Sequence, residues 1–296
     1  AVAAVLREKF GPPGASNPAE LCLCFQEVAP PPSAAATAAG SPEAVKASTA
    51  AAYDKVGETA ALRGNAKRAL AVLRRMRYSD AEIAAAGDDA ANFQGVGCPH
   101  RHARLAPGEH VLDLGSGLGV DSFIAAAATG ERGRVTGIDI AAKEVRHASE
   151  RAHARGLGDR VTFEVADLEK LPQPSESYDA VISNGAFCLA PDKPAAFREA
   201  HRVLKGGGRM AIALSVLKGD GLAPGVNWPL CMQTFVPLKD LRPTVEAAGF
   251  TDVEIDTSDS LMAFEVDEGS GGGGEDAEEA QQSADDADQR AKSRVH

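Results

Sequence analysis

The stretch Val111-Leu-Asp-Leu-Gly-Ser-Gly-Leu-Gly119 decides the fold of this chain. An aliphatic run ends at Leu114 and gives way to glycine at alternate positions, which permits a sharp turn and leaves no Cβ in the path of a ligand. A segment of helical character follows at 120–129, and a second apolar run ends at Asp139. This order of strand, glycine turn, helix and strand is that of a βαβ unit. We therefore expect a nucleoside-sized ligand at the carboxyl edge of its strands.

The spacing of the glycines indicates which nucleoside binds. A dinucleotide site has the pattern G-x-G-x-x-G, with the helix N-terminus facing a pyrophosphate. Here the pattern is G-x-G-x-G, and Asp113 precedes it. A carboxylate at that place repels a pyrophosphate but suits the amino group of a methionine moiety. The spacing favours S-adenosylmethionine, with NAD as the weaker alternative, and Asp139 is placed to accept hydrogen bonds from the ribose hydroxyls.

Composition excludes several classes of protein. The chain has 296 residues and a formal net charge of −11, but ten acidic residues lie between Glu265 and Gln289, so the remainder is close to neutral. Without a basic cluster we expect no nucleic-acid partner, and no apolar run is long enough to predict a membrane span. The five cysteines form no C-x-x-C pair, which argues against a metal site and for reduced thiols in the cytoplasm. The alanine-rich, acid-poor start leaves an organelle-targeting remnant open.

The pattern along the chain predicts an α/β fold with a doubly wound, mostly parallel, seven-stranded sheet, an N-terminal helical extension and disordered termini. Strands are expected at 109–114, 134–139, 160–165, 178–183 and 208–214, and helices at 120–129, 141–155 and 192–205. Asp192 should cap the last of these helices, Pro194 fits its first turn, and Gly206 should end it. A helix at 238–248 should then precede an antiparallel edge hairpin made by 252–256 and 261–266.

Four regions follow from these patterns. They are a low-complexity extension (1–42), a helical lid (43–104), an S-adenosylmethionine-binding domain (105–268) and an acidic disordered tail (269–296).

Candidate binding residues follow the predicted strands, because ligands bind at the carboxyl ends of the strands in such a sheet. The first turn should hold the methionine part, the acid after the second strand the ribose, and the acid after the third strand the adenine amino group. An amide after the fourth strand should lie beside the methyl group, although this amide and the third acid are also typical turn residues. In chain order the residues are Asp113, Gly115, Ser116, Gly117, Gly119, Asp139, Ile140, Asp167, Leu168 and Asn184.

The core resembles a class I S-adenosylmethionine-dependent methyltransferase, and more narrowly it is similar to the arsenite methyltransferase family. The resemblance covers roughly residues 45 to 255. The segments that carry it are Pro107-Gly-Glu-His-Val-Leu-Asp-Leu-Gly-Ser-Gly-Leu-Gly-Val-Asp-Ser122, Gly133-Arg-Val-Thr-Gly-Ile-Asp139, Val181-Ile-Ser-Asn-Gly185, Leu189-Ala-Pro-Asp-Lys-Pro194 and Arg202-Val-Leu-Lys-Gly-Gly-Gly208.

The resemblance implies methyl transfer to trivalent arsenic held by cysteine thiolates, with arsenite or its thiol conjugate as acceptor and glutathione or thioredoxin as reductant. Soft thiolates suit this soft, thiophilic centre. Cys231 matches a cysteine of the family, and Cys98 and Cys188 are further candidate ligands. The chain departs from the family at Gly185, where a cysteine is usual. Cys188 and Cys231 could instead be small buried apolar groups.

Two alternatives stay open. Gly185 favours a methyltransferase that acts on another small-molecule carbon, oxygen or sulfur nucleophile. The acidic tail is compatible with a non-catalytic S-adenosylmethionine-binding regulatory protein.

Overall fold

The computed structural model describes residues 4–6, 21–24, 41–59, 66–217 and 234–257. In these ranges a seven-stranded sheet has the order β1-β2-β7-β6-β3-β4-β5. Only the β1–β2 pair is antiparallel, so the mostly parallel sheet is confirmed. The strands are β1 (Ala4–Leu6), β2 (Leu21–Cys24), β3 (His110–Leu114), β4 (Arg134–Asp139), β5 (Val161–Val165), β6 (Tyr178–Asn184) and β7 (Leu204–Ala213).

Helices cover both faces of this sheet. They are α1 (Pro42–Thr59), α2 (Ala66–Arg75), α3 (Asp80–Ala86), α4 (His100–Ala103), α5 (Val120–Thr129), α6 (Ala142–Ala154), α7 (Lys193–Val203) and α8 (Leu238–Ala247), with 3₁₀ turns at Gly87–Asn92 and Phe187–Leu189. No helix in the described ranges is long and apolar enough to cross a bilayer.

Alternation along the strands explains the two covered faces. Val111, Ala180 and Ile182 belong to a core cluster beneath α5 and α6, whereas Leu112 and Val181 belong to a second cluster beneath α7 and α8. Successive side chains of a strand point to opposite faces, so each central strand supplies both clusters. This two-sided burial is the doubly wound arrangement that the sequence predicts.

The start of α7 is confirmed and its end is not. Asp192 accepts a hydrogen bond from the Ala195 N–H at 2.9 Å, and a proline stands in the first turn. The helix ends at Val203, before Gly206, because Leu204 already pairs with Tyr178 of β6. Pairing with the neighbouring strand therefore extends β7 through the glycines.

The predicted C-terminal hairpin is wrong for its first strand. Residues 252–256 form no strand, and 261–266 lie outside the described residues. Asp252 has a φ of 50°, which an extended strand does not accommodate. The Val253 carbonyl accepts a hydrogen bond from the Arg242 guanidinium at 2.5 Å. The strand that pairs with the outer edge of β7 is β2.

The helices before the glycine turn pack on the body in two places. α2 and α3 contribute Leu73 and Ile83 to an apolar cluster that includes Ile124 of α5. α1 lies against the start of α6, where Asp54 accepts a hydrogen bond from the Lys143 N–H at 2.9 Å. These contacts place helices beside the carboxyl edge of the sheet. The predicted boundaries of the four regions stay predictions, and the tail from 269 lies outside the described residues.

Candidate cofactor and acceptor site

An open cleft of about 1040 Å³ lies at the carboxyl ends of β3, β4, β5 and β6. The turns after the four strands line it, together with α1 and residues 92–96. Two of the ten predicted cofactor residues, Asp113 and Gly119, do not line the cleft. The eight that do are Gly115, Ser116, Gly117, Asp139, Ile140, Asp167, Leu168 and Asn184.

The glycine turn is held against the end of β4. The N–H groups of Gly115 and Ser116 both donate to the Ile138 carbonyl, at 2.7 and 2.9 Å. Gly115 has a φ of 75°, and a Cβ there would lie 2.0 Å from the Cβ of Ala186. Glycine is therefore required by both conformation and space. The Ser116 hydroxyl is buried, and no described group hydrogen-bonds to it, so a polar ligand could bind there.

Asp139 links the end of β4 to this turn. Its carboxylate accepts hydrogen bonds from the N–H groups of Gly117 and Ala141, both at 2.9 Å. Burial raises its pKa, while these backbone hydrogen bonds act in the opposite direction. The carboxylate lines the cleft in a fixed orientation, as a ribose-binding acid requires.

Two carboxylates lie near the turn, and only one of them lines the cleft. Asp113 is 1% exposed and accepts a 2.6 Å hydrogen bond from the Ser122 hydroxyl. Burial, followed by the nearby charge of Asp121, raises its pKa to about 7. Its position therefore does not support the predicted contact with the methionine amino group. Asp121, in the first turn of α5, lines the cleft instead.

Asp121 is fixed by a buried network of polar groups. One carboxylate oxygen accepts from the Tyr78 hydroxyl at 2.7 Å and contacts His100 Nε2 at 3.0 Å. The other accepts from the Asn184 amide at 3.0 Å. Burial acts to lower the pKa of His100, but the hydrogen bond and charge of Asp121 raise it overall. Sequence reasoning missed this carboxylate, although its position two residues after the last glycine was a usable signal.

Asn184 connects the end of β6 to the loop opposite. Its side-chain oxygen accepts from the N–H groups of Val96 and Gly97, at 2.8 and 3.2 Å. Its amide nitrogen also donates to the Gly97 carbonyl and the Tyr78 hydroxyl, at 2.8 and 3.0 Å. The residue lines the cleft as predicted, but its oxygen is engaged with backbone. It therefore shapes the wall at the β6 end.

At the β5 end, α1 is attached by an ion pair. Lys46 Nζ lies 2.6 Å from Asp167 Oδ2 and also pairs with Glu169. Burial acts to lower the Lys46 pKa, but the hydrogen bonds to both carboxylates raise it overall. Asp167, the predicted adenine ligand, is thus shared with a side chain from α1. Thr49 and Tyr53 of the same helix also line the cleft.

The predicted arsenic ligands lie elsewhere or outside the described residues. Cys98 is 1% exposed in the apolar cluster beneath α2 and α3. Cys188 is 3% exposed, and its thiol donates to the Gly185 carbonyl at 3.0 Å. Neither lines the cleft, and Cys231 lies outside the described residues. Within the described ranges no group of three His, Cys, Asp or Glu residues is arranged to hold a metal ion.

A family model described as "Methyltransferase domain" matches residues 105–237, which include all four strand ends of the cleft. This part of the chain is similar to methyltransferase domains. Helix α1 lies outside the match, although it lines the cleft.

Similar proteins are named as arsenite methyltransferases. That of Halobacterium salinarum is 36% identical over 194 residues, covering 64% of this chain and 49% of the relative. The human protein is 41% identical over 152 residues, covering 47% of this chain and 40% of the relative. This chain thus spans about half the length, or less, of these curated relatives.

Among solved structures, an arsenic(III) S-adenosylmethionine methyltransferase from Chlamydomonas reinhardtii matches with 32% identity and a TM-score of 0.50. The match covers 59% of this chain and 63% of that one. Together with the family model, it confirms the predicted resemblance to S-adenosylmethionine-dependent methyltransferases.

Proposed function

We propose that the protein transfers a methyl group from S-adenosylmethionine to trivalent arsenic. The observation that carries the proposal is the similarity of this chain to proteins named as arsenite methyltransferases, at 36% identity over 194 residues and 41% over 152 residues. Arsenite, or its conjugate with a thiol, would be the acceptor. Glutathione or thioredoxin would be the reductant, and the cytoplasm the expected location.

The order of strands suggests how the cofactor lies. The ends of β5, β4, β3 and β6 follow one another across the sheet and carry Asp167, Asp139, the glycine turn and Asn184. Adenine, ribose and methionine fit these places in the same order. When bound, S-adenosylmethionine supplies an electrophilic methyl group on a sulfonium. The residues of this chain hold it in place, which contributes several kcal/mol to such two-reactant chemistry.

The wall beyond β6 suits an acceptor that can be methylated without the removal of a proton. Ala186, Leu189 and Pro191 line the cleft there, and this part of the wall is apolar. Trivalent arsenic attacks through its lone pair, so it requires exclusion of water and alignment but no general base. An apolar wall provides the first of these requirements.

For the thiolates, we infer that Cys231 is the principal ligand and that Cys188 and Cys98 are secondary ones. The Thr234 hydroxyl donates to the Cys188 carbonyl at 2.6 Å, so the chain three residues after Cys231 is attached beside Cys188. Both described thiols are buried. Use of Cys188 as a ligand would require the loop 185–191 to open, and use of Cys98 would require movement of the apolar cluster beneath α2 and α3, since the reactive thiolate must be accessible.

The test incubates the purified protein with arsenite, S-adenosylmethionine and glutathione, and measures methylated arsenicals by chromatography with mass spectrometry. The wild type should form methylarsenicals. Cys231→Ser should abolish their formation while leaving cofactor affinity unchanged, and Cys188→Ser and Cys98→Ser, at the secondary ligands, should reduce it less. If the wild type binds cofactor and forms no methylarsenical, the arsenic proposal fails.

A second candidate acceptor is a small organic nucleophile. The chain has Gly185 where a cysteine is usual in the arsenite methyltransferase family. Another similar protein is the 27-O-demethylrifamycin SV methyltransferase of Amycolatopsis mediterranei. It is 40% identical over 108 residues, which cover 36% of this chain and 39% of the relative. A radiolabelled methyl-transfer assay with phenolic, thiol and enolic acceptors separates this candidate from arsenite. Turnover of any acceptor would exclude the purely regulatory alternative.

A further inference from the structure

Asp121 has no role in the function described so far, although, like Asp139, it lines the cleft beside the glycine turn. It is 8% exposed and lies in the first turn of α5. Asp113 does not line the cleft and is hydrogen-bonded to Ser122. A carboxylate at the wall of a cleft is suited to accept a hydrogen bond from a cationic group of a ligand.

Asp121 lies on the opposite side of the turn from Asp139. Asp139 ends β4, whereas Asp121 is hydrogen-bonded to Asn184 at the end of β6. Because β3 lies between β4 and β6, the two carboxylates flank the glycine turn. A cofactor whose ribose is at Asp139 and that extends across the turn reaches Asp121 with its other end.

The carboxylate retains capacity to bind a ligand. One oxygen is engaged by Tyr78 and His100, and the other accepts from Asn184 at 3.0 Å. A carboxylate has about four acceptor positions, so these three contacts leave room for one more. The buried Ser116 hydroxyl, to which no described group hydrogen-bonds, lines the same cleft. These two polar groups form a built site for a small charged moiety.

We propose that Asp121 accepts the ammonium group of the methionine part of S-adenosylmethionine, and that His100 and Tyr78 are positioning residues that fix its carboxylate. The proposal rests on the cofactor alone and is independent of the acceptor. It moves this contact from Asp113, which the sequence favours, to an acid in the first turn of α5. His100 Nε2 contacts the carboxylate oxygen that also accepts from the Tyr78 hydroxyl.

The test compares two ligands by isothermal titration calorimetry. S-adenosylhomocysteine contains the amino acid part, whereas 5′-methylthioadenosine has the same nucleoside without it. Asp121→Asn should weaken S-adenosylhomocysteine binding by about 10- to 100-fold, the range for loss of a hydrogen bond to a charged group. Binding of 5′-methylthioadenosine should be unchanged, which also shows that the variant is folded.

Asp113→Asn is the matched control and should leave the ratio of the two affinities unchanged. His100→Leu should lower S-adenosylhomocysteine affinity selectively, and His100→Gln, which retains a side-chain donor, should restore part of it. A parallel loss of both ligands in Asp121→Asn would overturn the proposal. A selective loss in Asp113→Asn would also overturn it. No arsenic is present, so failure of the acceptor proposal cannot produce either result.

Discussion

Asn184→Asp tests the polar network that closes the β6 end of the cleft. The substitution preserves the shape of the side chain and the oxygen that accepts from Val96 and Gly97. It replaces the amide nitrogen with a carboxylate oxygen. That nitrogen now lies 3.0 Å from Asp121 Oδ2 and 2.8 Å from the Gly97 carbonyl. Two attractive contacts therefore become repulsive ones.

The magnitude follows from the distance. Two unit charges 3.0 Å apart repel by roughly 5.5 kcal/mol at an effective dielectric constant of about 20. Protonating one carboxyl at pH 7 costs less, about 4 kcal/mol, since its ordinary pKa is about 3 units lower and each unit is worth 1.36 kcal/mol. The pair should therefore take up a proton. At pH 7 the free energy of unfolding of Asn184→Asp should be about 4 kcal/mol below that of a variant with an uncharged side chain at this position. The nearby His100 should reduce this difference.

The sign of the pH dependence is fixed by the raised pKa. A carboxyl whose folded pKa exceeds its unfolded value binds more protons in the folded state, so its cost is present at pH 7 and falls as the pH is lowered. Urea unfolding at pH 7, 6 and 5 measures this cost for Asn184→Asp against Asn184→Ala, which loses the hydrogen bonds without adding charge. The difference between the variants should shrink by about 1 kcal/mol per pH unit. A difference that stays constant would refute the geometry of the network.

Two further predictions concern buried groups around the cleft. Burial lowers the pKa of Lys193 to about 8, so the unfolded state binds more protons than the folded state between pH 8 and 10.5. Over that interval the unfolding free energy of the wild type relative to Lys193→Met, measured by urea titration, should rise by about 3 kcal/mol. No rise would show that the ammonium is hydrated. Gly115→Ala should lower stability by about 2–4 kcal/mol and S-adenosylhomocysteine affinity by more than tenfold, since its Cβ would lie 2.0 Å from that of Ala186. Gly130→Ala is the control for backbone strain alone, because Gly130 has a φ of 66° and no atom lies within 4 Å of the added Cβ. It should lower stability by about 1 kcal/mol. Equal losses of stability in Gly115→Ala and Gly130→Ala would contradict the steric argument.

The strand ends were predictable because they depend on local pattern. The run before Gly115 and the run before Asp139 each alternate between two buried faces and stop at a turn residue, and both strands end where the sequence predicts. Their carboxyl ends meet at one edge by topology alone. The predicted eight cleft-lining residues follow from that rule, without any knowledge of the helices.

The acids could not be ranked in the same way. Asp113 and Asp121 are eight residues apart, and both are compatible with a ligand contact in the sequence. The two acids differ in their hydrogen-bond donors: the Ser122 hydroxyl donates to Asp113, whereas the Tyr78 hydroxyl donates to Asp121. Tyr78 lies 43 residues before Asp121, so no local pattern carries the information.

Helix α1 illustrates the same limit on a larger scale. Its alanine-rich sequence predicts a helix and a lid, but not the residue that attaches it. Lys46 pairs with Asp167, 121 residues away, because β5 happens to end opposite the first turns of α1. The side chain predicted to bind adenine is therefore shared with α1, so the predicted adenine contact and the position of α1 would depend on the same carboxylate.

The two halves of the cleft differ in how firmly they are built. At the β4 end, the turn, Ile138 and Asp139 are held mostly by backbone hydrogen bonds, which most substitutions elsewhere would leave intact. At the β6 end, Asn184 depends on the side chain of Tyr78, 106 residues away, and on the loop at Gly97. We therefore expect changes in that loop to reshape the wall proposed to face the acceptor while the β4 end stays fixed, so an assay of acceptor turnover in variants of the Gly97 loop tests that placement.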